Sequence, residues 1–218
     1  MNKEWTILGG GAIGPDGSGQ LLHGAMDPSN ADPDRLIRQP DLFPVRPKNC
    51  ARFDRPSRLT CCAVALALRD ADLPATADAT RPLGIVGWRP YGAHCANRAY
   101  FDDYLAAGRT LGRGNLFIYT LPTSPLAEAA IHFKLAGPCF HVAAASDSDP
   151  IRLLVETGAR LIRENQCPQL LLVASQNDAA AALAIGATHS ASPGPAPADQ
   201  AVAFLKHRLA NSIPPAGS

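Results

Sequence analysis

The chain has 218 residues, 46 % hydrophobic and 18 % charged, and its 20 Lys+Arg against 19 Asp+Glu give a formal net charge of +1. That length and apolar content suit one domain with a sizeable core and exclude a disordered chain. The near-neutral balance excludes a nucleic-acid or membrane-surface binder that works by bulk charge, and no apolar run approaches the ~20 residues that span a bilayer. Residues 1–10 lack a basic region leading into an apolar stretch, so no secretory signal is expected and the expected compartment is the cytoplasm. The six cysteines (Cys50, Cys61, Cys62, Cys95, Cys139, Cys167) show no C-x-x-C spacing, so neither a zinc nor a redox site is expected. Cys61 and Cys62 lie in an alanine- and leucine-rich run, where thiols behave as small core hydrophobes.

In chain order, Trp5 to Leu8 is a short apolar run that reads as a buried strand leaving through a turn at Gly9-Gly10-Gly11. From Pro15 to Pro56 the composition is rich in Pro, Asp and Gly, which predicts an irregular surface segment with one short helix around Pro33–Gln39. Leu59, Cys62, Ala63, Leu66 and Leu73 recur at helical spacing after Ser57, which offers an N-cap. Leu83 to Gly87 reads as a buried strand and Asn97 to Ala107 as a helix closed by Gly108. Leu116 to Tyr119 is apolar and fits either type. Ser124-Pro125 opens a helix that runs to a stop at Gly137-Pro138, followed by a short strand, Cys139 to Val142.

Asp149-Pro150 opens the most clearly amphipathic helix. Ile151, Leu154, Val155, Gly158, Leu161 and Ile162 share one face, with Arg152, Glu156, Arg160 and Arg163 opposite. Gln169 to Ala174 is an apolar strand, Ser190 to Pro197 a linker, Ala201 to His207 a last strand, and the tail from Asn211 is expected to be loose. Alternating strands and helices predict an α/β domain around a mixed five-stranded sheet flanked by helices.

Residues 9–14 match G-x-G-x-x-G after a strand. A dinucleotide loop needs a helix to open at the last glycines. Pro15-Asp16-Gly17-Ser18-Gly19 follows instead, and no strand ending in an acidic residue stands at the required distance. The motif therefore reads as a tight strand exit. None of the six histidines has metal-ligand spacing, and no G-x-S-x-G elbow is present. One arrangement has mechanistic shape. The strand Cys139–Val142, the segment 143–149 and the helix beyond form the strand-turn-helix that places a nucleophile at a helix N-terminus, where a thiol's pKa is lowered. The residue there is Ser146.

Residues 7–17 (ILGGGAIGPDG), 58–73 (RLTCCAVALALRDADL), 121–142 (LPTSPLAEAAIHFKLAGPCFHV) and 145–173, together with 199–205 (DQAVAFL), resemble the N-terminal half of a β-ketoacyl synthase of the thiolase-like superfamily. In the same order they are similar to that family's opening strand and turn, its first helix, the helix and G-P turn before the active-site strand, the nucleophile turn with its buried helix and next strand, and a later strand. The resemblance implies a thiolase-like half-fold over residues 1–209, with 15–56 as its irregular Pro-rich segment and 210–218 as a loose tail.

The departures from the family decide the expected function. Counted without gaps from Gly137-Pro138, the family's A-C-x-S-G falls on Ala145-Ser146-Asp147-Ser148-Asp149. Ser146 thus replaces the nucleophilic cysteine (a shifted register offers only Ala144), and a serine without an adjacent base is a far poorer nucleophile than a thiolate. The chain also ends where an active synthase would begin the half that bears its two catalytic histidines. The resemblance is closest to short chain-length-factor-type homologues. It implies a non-catalytic subunit that pairs with a full-length β-ketoacyl synthase and shapes the acyl tunnel in fatty-acid or polyketide-like biosynthesis, such as that of polyenes. An acyl carrier protein would be engaged through the partner, and no cofactor, metal, nucleic acid or membrane span is implied.

The implied interface or tunnel residues are Thr120, Leu121, Pro122 and Thr123 and the edge strand Cys139, Phe140, His141 and Val142. Two alternatives stand beside this reading: a ketosynthase-like acyltransferase that uses Ser146, and a module that docks an acyl carrier protein.

Overall fold

The computed structural model describes residues 4–24, 26–75, 79–110, 112–145, 147–188 and 197–210. Its sheet is mixed and has six strands, in the order β2-β1-β6-β5-β3-β4. These are β1 (Glu4–Gly14), β2 (Gly17–Gln20), β3 (Leu83–Trp88), β4 (Cys139–His141), β5 (Gln169–Ser175) and β6 (Ala180–Thr188). β1 runs antiparallel to β2 and β6, and β6 antiparallel to β5, whereas β3 is parallel to both β5 and β4.

Helices cover both faces. On one lie α1 (Pro33–Leu36), α2 (Arg55–Asp70) and α5 (Ser124–His132); on the other lie α6 (Pro150–Arg163) and α7 (Pro197–Ala210). Side chains of the central strands alternate between the two cores, as a pleated strand requires. Leu171, Val173, Ala180, Ala182 and Ala184 enter the α2 core, while Leu170, Leu172, Ala181, Leu183 and Ile185 enter the α6/α7 core.

α2 is buried nearly all round, with Leu59, Cys61, Cys62, Val64 and Leu68 fully enclosed. Its small residues let it lie directly on β1, and this contact explains the glycine run. A Cβ on Gly11 would come within 2.4 Å of the Leu66 Cβ, and one on Gly9 within 2.5 Å of the Ala71 nitrogen. The glycines therefore do not end the strand. β1 continues to Gly14, turns at Pro15-Asp16 and returns as β2, so no helix opens at the motif. The buried Asp70 carboxylate at the end of α2 holds this hairpin down. It accepts hydrogen bonds from the backbone N–H groups of Gly10 (2.8 Å), Leu21 (3.1 Å), Leu22 (2.8 Å) and His23 (2.8 Å).

Other expectations need correction. The cap of α2 is Asp54, whose side chain accepts from the Ser57 N–H at 2.9 Å, and Ser57 lies inside the first turn. α5 stops at His132 rather than at Gly137, because Lys134 takes a left-handed φ of 53°. Ala201–His207 is not a strand; it belongs to α7, which buries Ala201, Val202, Leu205 and Leu209 on one stripe. The sheet has six strands rather than five, because β2 and β6 are additional to those expected; β6 gives no strand signal because alanine, which supplies five of its nine residues, is a poor strand former.

The short helix expected near Pro33 is α1, capped by Asp32. Asp149 caps α6 through the N–H groups of Ile151 and Arg152. The α3 helix spans His94–Ala106 and is followed by Gly108 at φ 71°. The apolar run at Leu116 forms the end of α4 (Gly114–Phe117) and a 3-10 turn, Ile118–Thr120. The linker residues 190–196 and the tail 211–218 lie outside the described residues. No helix among the described residues is long and apolar enough to cross a membrane.

Candidate functional site

β3, β4 and β5 point the same way, and their carboxyl ends meet at one edge of the sheet, the place where open α/β sheets hold ligands. β4 is the outermost strand there. Its register sets Ile85 opposite Cys139 and Gly87 opposite His141. Ile85 N–H donates to the Pro138 carbonyl (2.7 Å) and Val142 N–H to the Gly87 carbonyl (2.8 Å). The backbone groups of Pro138, Phe140 and Val142 therefore face β3, and those of Cys139 and His141 face away from it. No further strand pairs with that side among the described residues.

The predicted edge residues divide by environment. Cys139 is exposed, although its neighbours desolvate the thiol enough to raise its pKa above the ordinary value. Phe140 packs partly into the α6/α7 core and Val142 is buried in it. His141 is half-buried, and its Nε2 accepts the Arg89 N–H at 3.2 Å, which leaves the ring proton on Nδ1. Burial, with the Arg89 cation beside the ring, holds its pKa below the usual histidine range. β4 is followed in the chain by α6, the order expected. Ser146 itself lies outside the described residues.

The other predicted group reaches the same end of the sheet through α5, which packs against β3 and β4. Thr120 closes the 3-10 turn, its Oγ1 donating to the Phe117 carbonyl at 2.7 Å. Leu121 is exposed, Pro122 approaches Gly92, and Thr123 stands at the N-cap of α5 without a side-chain cap bond. Ser124 Oγ donates to the Ile118 carbonyl and ties the loop to α5.

Around this loop large apolar side chains are exposed. Among the described residues, seven of the nine large exposed hydrophobics (Tyr91, Phe101, Leu105, Phe117, Ile118, Leu121 and Ile131) fall within 91–131. Neither α3 nor α4 buries any residue. The two are joined by a tilted Tyr100–Phe117 ring contact at 5.6 Å and by an Arg113–Asp103 ion pair at 2.9 Å.

Sequence reasoning missed four polar residues here. Arg89 follows β3 and is only 7 % exposed. Its Nη2 donates to Asn177 Oδ1 at 2.8 Å, and Asn177 Nδ2 donates to the Cys95 sulfur at 3.7 Å. The available signal was an arginine directly behind an apolar strand, in W-R-P-Y-G. Beneath the loop, Tyr119 O–H donates to Glu128 Oε1 at 3.3 Å, and burial raises the pKa of both groups. No cluster of three or more His, Cys, Asp or Glu able to hold a metal occurs among the described residues.

No family model and no curated relative matches the sequence. Solved structures do match its fold. The ishigamide ketosynthase/chain length factor aligns over 88 % of this chain and 64 % of its own, at 15 % identity and a TM-score of 0.59. The fold is ketosynthase-like, of the thiolase type. A type II PKS acyl-carrier protein in complex with its ketosynthase bound to the hexaketide (AntDE:AntF) aligns over 86 % of this chain and 63 % of that one, at 15 % identity and a TM-score of 0.60. A β-ketoacyl synthase from Burkholderia phymatum STM815 aligns over 85 % and 59 %, at 15 % identity and a TM-score of 0.59. The chain thus spans less than two thirds of the length of each of these ketosynthase-fold structures.

Proposed function

We propose that this chain is a non-catalytic, chain-length-factor-type subunit that pairs with an active β-ketoacyl synthase in the cytoplasm and shapes the acyl tunnel of a polyketide-like pathway. Residues 1–209 act as one ketosynthase-like unit in this reading, and an acyl carrier protein reaches the assembly through the partner. The observation that carries the proposal is the open outer edge of β4 beside an uncovered apolar surface. An unpaired strand edge invites addition of another strand, and a cluster of exposed large apolar side chains favours a protein contact. Thr120, Leu121, Pro122 and Thr123 then line the contact from above, while Cys139 and His141 offer their outward N–H and C=O groups to the partner's strand. The fold neighbours support the reading, since one of them is a ketosynthase/chain length factor.

Native mass spectrometry of the chain, alone and co-expressed with a full-length ketosynthase encoded beside it, tests the proposal. A one-to-one heterodimer is the expected result. A well-behaved monomer that ignores the synthase refutes the pairing, and affinity for an acyl carrier protein in the absence of any synthase would favour a docking module.

A further inference from the structure

Arg89 is an unusual residue to find inside a fold with so few charges. Its side chain is more than nine-tenths buried, and burial lowers its pKa. A buried cation ordinarily has a carboxylate against it. Among the described residues no carboxylate forms an ion pair with Arg89. Asp54 is near enough for its charge to favour the cation, without a direct contact; its carboxylate caps α2 through the Ser57 N–H.

The hydrogen-bond partners of Arg89 are neutral. Its backbone N–H goes to the His141 ring and its Nη2 to the Asn177 amide oxygen. Among the described residues Nε and Nη1 have no hydrogen-bond partner, and neither is among the sealed polar atoms of the interior, so each touches solvent. His141 adds no negative charge, being neutral or positive. Cys95, exposed on the first turn of α3, borders the same site through Asn177. These groups stand just past β3, at the end of β4 and just past β5, so three carboxyl ends of parallel strands converge on them.

We infer that Arg89, Asn177 and His141 form a binding site for a small carboxylate, with Arg89 supplying the charge and the Cys95 sulfur at its rim. A carboxylate would give the cation the contact ion pair it lacks, and the two guanidinium nitrogens without a protein partner would donate to its oxygens. The site uses one chain only, so it stands whether or not the chain pairs with a synthase.

Cys95 makes the inference testable by affinity labelling. Its sulfur attacks the methylene of iodoacetate or iodoacetamide, an S–C bond forms, the C–I bond breaks, iodide leaves and the thiol proton passes to buffer. Only iodoacetate carries the carboxylate that Arg89 would hold. The ratio of iodoacetate to iodoacetamide rates is read by peptide mass spectrometry at Cys95 and at Cys139, the other exposed thiol among the described residues. The expected ratio at Cys95 exceeds that at Cys139 by about tenfold or more, the scale of one charge-assisted contact. Excess acetate, but not chloride at equal ionic strength, should abolish the difference, as should Arg89→Gln. Equal ratios at the two thiols overturn the inference, as does an excess that survives acetate. If Arg89→Gln fails to fold, the acetate competition on the unmodified chain decides alone.

Discussion

Cys139→Pro separates the outer edge of β4 from the rest of the fold. In the observed register the ladder to β3 uses the backbone of Pro138, Phe140 and Val142, so the Cys139 N–H belongs to the free side. A proline there deletes that donor and leaves every ladder bond in place. Its fixed φ suits the first residue of an edge strand, and Cys139 is exposed, so no cavity opens in the core. The stability of the lone chain should change by less than about 1 kcal/mol.

Pairing should suffer much more. A partner strand would bury a carbonyl opposite position 139 with no donor, at a cost of about 1–3 kcal/mol. That corresponds to about 5- to 150-fold in dissociation constant. Cys139→Ala keeps the N–H and serves as the control, with affinities measured by titration calorimetry and unfolding followed in urea. Wild-type affinity in the proline variant, or an equal loss in the alanine variant, would refute strand addition at β4.

Two further predictions concern the fold itself. Asp70→Ala strands the N–H groups of Gly10, Leu21, Leu22 and His23 and should cost about 3–5 kcal/mol by urea unfolding, on the scale of removing one partner of a buried charged contact, with Asp70→Asn intermediate. A cost below about 1 kcal/mol would show that water replaces the carboxylate and that the hairpin is held elsewhere. Burial holds His132 and His141 below the usual histidine pKa, so the folded state takes up their protons less readily than the unfolded chain does. Stability should be level above the unfolded value of about 6.5 and decline as pH falls through and below it. The double variant His132→Asn, His141→Asn should flatten the thermal midpoint between pH 7 and pH 5; an unchanged slope would assign the decline to other groups.

The layered fold was legible where sequence and environment agree. β5 is apolar on both faces because it is buried on both, and the apolar stripe of α6 faces one core. Misreadings arose where one composition fits two environments. The run Ala201-Val202-Ala203-Phe204 satisfies a strand pattern as readily as a helical stripe, and only packing against α6 and the sheet selects the helix. The glycines of β1 looked like turn residues because their cause, the backbone of α2, is about 60 residues away in sequence. The strand β4, which lies at the sheet edge, and the helix after it were legible. Arg89 was not, because an arginine's isolation from carboxylates is a property of the packed molecule.

The two cores and the uncovered surface belong to one physical argument. α2 and α6 bury their apolar faces within this chain, so neither needs a partner. Residues 91–123 behave differently. They fold into α3, α4 and a 3-10 turn, yet they bury little beyond Ala93 and Tyr119 and present Tyr91, Phe101, Phe117 and Leu121 to solvent. Ordering such a segment costs conformational entropy that burial normally offsets, and here the burial within the chain is slight. The deficit lies next to the β4 edge through α5, so one partner could supply the missing strand and cover for the apolar side chains together. Pairing through the strand alone would leave Ile131→Lys and Leu121→Lys without effect on affinity; pairing through both surfaces makes each substitution weaken the complex while the lone chain stays folded.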